Sequence, residues 1–160
     1  MTLPIDDMLL ASLLAIAWTD LQQRMLAAYE RAGFRKLGPA YLPVFLYLSE
    51  TGDRVVDLAK RSGITKQAMG YLVNALEEQG YVERIPDPVD KRAQLVRRTA
   101  KGRAAYQIAQ QTMREVQEQW GAQLGTQEME QLLSLLRQLA HAVLEQREDR
   151  RLETNGNAPD

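Results

Sequence analysis

Two short helical patterns, joined by a tight turn and followed at once by a basic hairpin, lie within residues 55–102. The small residue Ala59 lets a second helix cross close to the first, and Gly63 can take the positive φ that turns the chain between them. Apolar residues then fill the angle between the helices: Ile64, Met69 and Leu72. This spacing predicts a helix-turn-helix, a unit that mostly places its second helix in the major groove of DNA.

A short β-hairpin is predicted directly after the second helix of this unit. Thr65 can cap the start of that helix with its hydroxyl, and Gly80 suits the position just beyond its end. Residues 81–85 and 93–98 have the composition of two short strands, and they enclose a loop rich in proline and aspartate. A helix-turn-helix followed by a hairpin is a winged helix.

Other helices are predicted on both sides of this unit. Apolar spacing at helical period predicts helices over about 6–32, from about 39 toward 52 with Pro43 in the first turn, and over 56–62. Thr99 is expected to cap a long helix that ends near residue 120, and Thr126 to cap the last one. Gly121 and Gly125 bracket the expected break between them.

The fold class expected from this order is mainly α with a small β-hairpin wing. We predict one domain over residues 6–145, with the winged helix-turn-helix at about 54–102. The leucine-rich helices at about 6–32 and 104–145 are expected to form a dimerisation module, although they could instead close the core of a single chain. Residues 146–160 are polar and charged, which predicts a flexible tail.

Composition excludes several classes of site. The 160 residues contain no cysteine and a single histidine, His141, so thiol chemistry is excluded and no metal or nucleophile cluster is evident. We therefore expect no enzyme activity, no metal and no cofactor. The first seven residues lack the basic segment of a signal peptide, and the apolar run at 8–18 is too short to span a bilayer. A cytoplasmic protein with no membrane partner is the expectation.

Charge is distributed unevenly along the chain. The net charge is −1, but residues 54–103 hold eleven basic and six acidic side chains, a balance of +5. Residues 1–53 carry −2 and residues 104–160 carry −4. The positive charge is therefore concentrated on the predicted helix-turn-helix and hairpin, as a surface that binds phosphates requires.

The order of elements, together with the string GYVERIPDPVDKRAQLVRRTAKG, resembles the MarR family of bacterial transcriptional regulators. The resemblance extends over roughly residues 8–144. Its specific motifs are a wing pattern Asp-x-Arg, here Asp90 to Arg92, and a Thr-x-x-Gly that starts a long helix, here Thr99 to Gly102. Arg98 departs from the pattern, because the family usually has leucine there. The departure suggests that this position faces solvent or phosphate.

The resemblance implies a homodimer with one winged helix in each chain. It also implies repression of nearby genes, relieved when a small and often aromatic molecule binds. Four aromatic residues are candidates for lining a pocket for such an effector, although residues with this spacing are more often plain core. They are Trp18, Tyr41, Phe45 and Tyr47.

Candidate DNA-binding residues lie early in the second helix of the helix-turn-helix, where side chains reach base edges. They are Thr65, Lys66, Gln67, Gly70, Tyr71 and Asn74. Gln67 can read adenine through its amide, and Lys66 can reach guanine or a phosphate. Gly70 indicates either a close approach of backbone to DNA or an inconsequential surface glycine. Tyr71 indicates either a phosphate contact or a half-buried packing residue.

Candidate DNA-binding residues of the hairpin are cationic. Arg92, near the tip, is expected to enter the narrow minor groove of A·T-rich DNA, and Asp90 to pair with an arginine and hold the shape of the wing. Further phosphate contacts are expected from Arg84, Lys91, Arg97 and Arg98.

The leading hypothesis is a homodimeric regulator, most simply a repressor, that binds double-stranded DNA at an inverted repeat. The alternative is a winged-helix adaptor that binds proteins and shows no steep salt dependence toward DNA. The +5 central segment favours the regulator.

Overall fold

The computed structural model describes residues 5–34 and 36–156, with side chains described as far as residue 147. Six α-helices and one two-stranded antiparallel sheet form in these residues, which confirms the predicted mainly helical fold with a hairpin. The helices are α1 (Leu10–Arg31), α2 (Leu42–Tyr47), α3 (Val55–Ser62), α4 (Lys66–Glu78), α5 (Ala100–Leu124) and α6 (Thr126–Gly156). The strands are β1 (Val82–Pro86) and β2 (Gln94–Arg98), and short 3-10 turns at Ile5–Asp7 and Pro39–Tyr41 precede α1 and α2.

The helix-turn-helix forms from α3 and α4 by the local signals that the sequence contains. Gly63 ends α3 in the left-handed conformation, with φ of 72°, which a residue bearing a Cβ adopts only at a cost. The hydroxyl of Thr65 accepts a hydrogen bond from the backbone N–H of Ala68 at 3.1 Å, so Thr65 caps α4 as predicted. On α4, Met69, Val73 and Leu76 are fully buried, and this one face of the helix packs into the core.

The wing pairs β1 with β2 in a register that sets Glu83 opposite Arg97. The chain before α3 joins this sheet through an isolated bridge, in which Asp53 and Val96 exchange two backbone hydrogen bonds of 3.0 and 2.8 Å. Gly52 makes this approach possible, since a Cβ there would lie 2.8 Å from the carbonyl oxygen of Val96. The wing is thus attached to the start of the helix-turn-helix, and not only to its end.

The Thr-x-x-Gly motif forms the junction between the wing and α5. The Thr99 hydroxyl accepts a hydrogen bond from the backbone N–H of Gly102 at 3.1 Å and donates to the Gly80 carbonyl at 2.6 Å. A Cβ on Gly102 would collide with the carbonyl oxygen of Tyr81. Glycine is therefore required here by close packing of backbone on backbone.

One hydrophobic core joins α1, α2, the helix-turn-helix, the wing and the first part of α5. The ring of Tyr81 lies between Phe34 and Phe45, with centroid distances of 6.0 and 6.3 Å. The largest fully buried side chains of this core are Tyr29, Phe45, Leu37, Leu58, Met69, Leu76, Val44, Val73, Val82 and Val96. Each such side chain contributes roughly 1.5–3 kcal/mol of burial free energy, so this core dominates the stability of the winged helix.

The chain divides into two compact units, Met1–Glu115 and Val116–Asp160, whereas one domain is expected from sequence. The break expected between Gly121 and Gly125 lies at its second end: the helix expected to end near residue 120 continues through Gly121 to Leu124, and the Gly121 carbonyl accepts a hydrogen bond from the Gly125 N–H at 2.9 Å. One glycine in a helix costs only about 1 kcal/mol, which the surrounding hydrogen bonds outweigh. The turn is made by Gly125 alone, with φ of 109°.

The last helix also differs from its prediction at both ends. Gly125, not Thr126, precedes α6, and its carbonyl accepts the first hydrogen bond of that helix, from Met129 N at 3.0 Å. The backbone of α6 stays helical to Gly156, so residues 146–156, expected as a tail, extend the helix. Residues 157–160 of that expected tail lie outside the described residues.

The two helices expected to mediate dimerisation present apolar side chains to solvent. Most of the apolar stripe on the first two-thirds of α1 is exposed, and Met25 is its first buried member. In the second unit α6 exposes a second set of leucines: Leu132, Leu135, Leu136, Leu139 and Leu144. Within the described residues, no helix is both long enough and apolar enough to cross a membrane.

Candidate nucleic-acid interface

The exposed face of α4 lies opposite the face that packs into the core. Thr65, Lys66, Gln67 and Asn74 are exposed, and Tyr71 is 75% exposed, so Tyr71 is not a packing residue in the single chain. Because the helix repeats every 3.6 residues, burial of Met69 and Val73 turns Gln67 and Tyr71 outward together. This face begins with the N-terminal turn of α4, where the free backbone N–H groups favour anions.

Gly70 has no internal packing reason to be glycine. A Cβ at this position would meet no atom of the protein within 4 Å. Packing of another part of the described chain against Gly70 therefore does not explain why this residue is glycine.

Arg84 connects the wing to α4 instead of reaching freely outward. Its guanidinium pairs with the carboxylate of Glu77 and donates to the side-chain oxygen of Asn74 at 2.6 Å. Both partners lie on α4. This contact fixes the side chain of Asn74 and neutralises part of the charge that Arg84 was expected to offer to phosphate.

The wing tip exposes Lys91 and Arg92, and neither side chain makes an ion pair with the described residues. The backbone N–H of Arg92 donates to a carboxylate oxygen of Asp90 at 3.1 Å. A second oxygen of Asp90 lies 3.6 Å from the guanidinium of Arg54. Asp90 thus sits next to an arginine and holds a turn of the backbone, which is the arrangement expected for a residue that shapes the wing.

Asp87 is the central residue of the wing loop, and sequence reasoning missed it. Its buried carboxylate accepts from the backbone N–H groups of Val89 at 2.8 Å and Asp90 at 3.3 Å, and from Arg54 at 2.7 Å. The backbone hydrogen bond from Val89, together with the bond from Arg54, holds the pKa of Asp87 below its usual value. An aspartate followed by Pro88 and two loop residues is the signal that was available, since aspartate caps such turns.

Arg97 lies on the exposed surface of the sheet and is paired across it. Its guanidinium donates to one oxygen of Glu83 at 2.7 and 3.1 Å, and both side chains are about half exposed. The pair carries no net charge. Arg97 can still approach a phosphate, but the carboxylate of Glu83 accompanies it.

Arg98 is not a phosphate contact, and the prediction that placed it among them is wrong. Only 3% of the residue is exposed. Its guanidinium donates to the backbone carbonyls of Phe45 at 3.0 Å, Leu48, and Ser49 at 3.4 Å, around the C-terminal end of α2. The side chain points inward because these carbonyls, left without helical partners, accept hydrogen bonds from a cation.

Two further contacts complete the surroundings of Arg98. Glu50 pairs with it at 3.1 Å, and the guanidinium lies 3.9 Å from the ring centroid of Tyr106, on α5. Burial lowers the pKa of Arg98, against the opposing effect of Glu50, but a guanidinium remains charged in proteins. Its Nε has no hydrogen-bond partner among the described residues. Arg98 thus joins the foot of the wing to α2 and α5.

The four aromatic residues proposed for an effector pocket do not come together in the described clefts. Phe45 is buried in the core of the single chain and packs against Tyr81. The hydroxyl of Tyr41 accepts from the side-chain amide of Gln79 at 3.3 Å, while Trp18 and Tyr47 are exposed. The described residues also contain no cluster of side chains able to hold a metal ion.

Known proteins match this chain over two different extents. The sequence model described as the MarR family matches residues 36–93, which include the helix-turn-helix and most of the wing. A search of curated protein sequences gives no match.

Solved structures match a much larger part of the chain. The transcriptional repressor CouR, bound to a 23-mer DNA duplex, is 25% identical with a TM-score of 0.69, over 88% of this chain and 98% of that one. A structure of MarR is 20% identical with a TM-score of 0.76, over 93% and 99% of the two chains. CouR from Rhodococcus jostii RHA1 bound to p-coumaroyl-CoA is 21% identical with a TM-score of 0.67, over 87% and 96%.

Several of the matched structures are described as regulators or repressors of transcription. The family model covers the helix-turn-helix, β1 and the wing loop but ends before β2, and the solved structures share the fold of the winged helix and of the helices on both sides. Residues 36–93 therefore resemble the MarR family, and the chain as a whole has the winged-helix fold of these solved structures.

Proposed function

We propose that the protein is a homodimeric repressor that binds an inverted repeat in double-stranded DNA and acts in the bacterial cytoplasm. The observation that carries the proposal is the exposed face of α4, presented next to a wing whose tip offers two exposed cations, Lys91 and Arg92, that form no ion pair with the described residues. The face of α4 and the wing both belong to the first unit, and the contacts of Arg84 with Glu77 and Asn74 join them. One rigid surface can then meet a major groove and the adjacent minor groove.

In this proposal the first turns of α4 read base edges. Lys66 and Gln67 are exposed at the start of the helix and carry the donors and acceptors that distinguish guanine and adenine in the major groove. The Tyr71 hydroxyl is a candidate phosphate contact. Replacement of Gln67 by alanine is expected to relax base preference at one position, with a loss of about 1–3 kcal/mol for a bidentate contact.

The apolar faces of α1 and α6 support a dimer. Large exposed apolar side chains on α1 include Leu10, Leu13, Leu14 and Ile16, and α6 adds its own row of leucines. Soluble single chains seldom leave so many neighbouring apolar residues in water. A second copy of the chain is the partner that a two-fold-symmetric DNA site requires.

The dimer can be tested with two variants that introduce the same negative charge on different sides of α6. Leu139→Glu puts a carboxylate within the apolar row, and Ser134→Glu puts the same charge on the other side of the helix. Sedimentation is expected to show a monomer for the first variant and an unchanged dimer for the second. A Leu139→Glu dimer of normal stability contradicts the proposed interface.

Release of DNA by a small molecule is the part of the proposal that depends most on the relatives. A CouR structure contains p-coumaroyl-CoA, an aromatic acyl thioester. We propose an effector of aromatic character for this chain as well. Displacement of the protein from its DNA by a panel of aromatic acids and their thioesters, p-coumaroyl-CoA included, measures this directly.

Selection of duplexes from a random library by the purified protein tests the central claim. We expect enrichment of an inverted repeat whose half-sites are about one helical turn apart, with affinity that falls steeply as salt rises. Absence of enrichment together with weak, salt-insensitive binding would instead favour the adaptor.

A further inference from the structure

Val89 is an apolar residue held outward at the tip of the wing. It is 92% exposed, more than any other large apolar side chain in the described residues. Its backbone N–H is bound by the buried carboxylate of Asp87 at 2.8 Å, and Arg54 anchors that carboxylate in turn. The position of Val89 is therefore set by the loop, and its exposure is not the result of a disordered turn.

The cations beside Val89 indicate what the tip meets. Lys91 and Arg92 follow it within three residues, are exposed, and have no ion-pair partner among the described residues. This charge favours the phosphate-lined edges of DNA, and the narrow minor groove of A·T-rich segments attracts arginine most strongly. A wing tip that enters the groove between those edges brings the isopropyl group of Val89 to the groove floor.

We propose that Val89 contacts the floor of the DNA minor groove beside Arg92 and selects base pairs that lack the guanine N2 amino group. The inference rests on the proposed function, which places the wing at the minor groove. It assigns Val89 a role in specificity that is separate from the attraction of Arg92 to phosphates and to groove width.

The selection follows from hydrogen bonding. In the minor groove A·T and T·A pairs present only acceptors, whereas G·C adds the N2 amino donor. An apolar side chain pressed on this donor removes its water and offers no acceptor in exchange, and an unpaired buried donor is unfavourable. A threonine has nearly the same shape but provides an oxygen that can accept from the amino group. Valine at this position therefore weakens binding to a G·C pair, whereas threonine does not.

The experiment uses the tightest duplex recovered by the library selection. Hydroxyl-radical footprints of the wild type and of Arg92→Ala locate the minor-groove positions whose protection depends on the wing. The duplex is then synthesised with A·T, G·C or inosine·C pairs at those positions. Inosine·C keeps the major-groove pattern of G·C but lacks the N2 amino group, so it separates the proposed contact from major-groove reading.

For the wild type we expect binding about fivefold to tenfold weaker to the G·C duplex than to the A·T duplex, and recovery with inosine·C. Val89→Thr is expected to reduce this difference to about twofold or less, while Val89→Ile, which stays apolar, retains it. Equal discrimination by Val89→Thr and the wild type would overturn the proposal, as would a wild type that binds all three duplexes equally.

Failure of the proposed function would give different results in these binding experiments. A protein that recovers no specific duplex, and whose weak binding is unaffected by Arg92→Ala, does not use its wing on DNA at all. A protein that binds specifically and depends on Arg92, but shows no effect of Val89→Thr, retains the proposed function and disproves only the role of Val89.

Discussion

Arg92 near the tip of the wing and Arg98 at its foot are six residues apart on one hairpin, yet the first is exposed and the second has 3% of its surface exposed. At the foot, the carbonyls at the end of α2, the carboxylate of Glu50 and the ring of Tyr106 surround the guanidinium. At the tip, Asp90 binds the backbone of Arg92 and leaves its side chain to solvent. One basic hairpin therefore contains two kinds of arginine, one that supports the fold and one that is available to DNA.

The largest effect is expected from Arg98→Ala. Its removal leaves buried carbonyls of Phe45 and Leu48 without their donor, which should lower the free energy of unfolding by about 2–4 kcal/mol. Urea denaturation measures this loss. Arg97→Ala, the neighbouring residue on β2, is the matched control and should lose only about 0–1 kcal/mol, since its pair with Glu83 is half exposed. Equal losses from the two variants contradict the distinction between a buried arginine that supports the fold and an exposed one.

Arg92→Ala should have the opposite profile. The free energy of unfolding is expected to stay within about 0.5 kcal/mol of the wild type, because the side chain makes no ion pair with the described residues. Affinity for the selected duplex should fall about tenfold, and the slope of log affinity against log salt should flatten by about one. Titration at several salt concentrations measures both. Loss of stability without loss of DNA affinity would show that Arg92 belongs to the fold.

Asp87→Asn tests how the tip is held. Because the folded pKa of Asp87 lies below the unfolded value of about 3.9, the ionised carboxylate stabilises the protein above that pH. This contribution is lost as the pH falls through the folded pKa. Unfolding measured from neutral pH into acid should therefore show a shallower decline for Asp87→Asn than for the wild type. DNA affinity should also decrease, by less than in Arg92→Ala.

Asp53 is a second carboxylate whose pKa is lowered in the folded protein, so it also contributes to the decline of stability in acid. Burial raises its pKa, but the backbone hydrogen bond from Ser49 and the contact with Arg61 outweigh burial and leave the pKa lowered. Part of the acid decline is accordingly expected to remain in Asp87→Asn. Identical pH profiles for that variant and the wild type would show that Asp87 does not contribute.

Glu83→Gln should have the smallest effect. It removes the partner of Arg97 and leaves that guanidinium free to meet phosphate, so affinity for all duplexes is expected to rise about twofold, the range of an exposed pair. The increase should be similar for selected and unrelated duplexes, because phosphate contacts carry no sequence information. A change confined to the selected duplex contradicts a phosphate role for Arg97.

Local signals account for the parts of the fold that were predicted well. Thr65 and Thr99 cap the helices that follow them, and Gly63 makes the turn of the helix-turn-helix. Each of these features depends on one residue and its neighbours within a few positions, so the sequence displays it directly. The long helix continues to Leu124, past its expected end near residue 120, since Gly121 inside a helix costs little and does not require a turn.

Residue type and spacing determined that this chain builds a winged helix with a basic wing, and the exposed face of α4 follows from the burial of Met69 and Val73. Which arginine serves which purpose was decided only by tertiary structure. Arg98 meets carbonyls about 50 residues away in sequence, and Asp87 meets Arg54 33 residues away. Such partners are brought together by packing of the core, and a guanidinium is buried or left in water according to the acceptors it finds there.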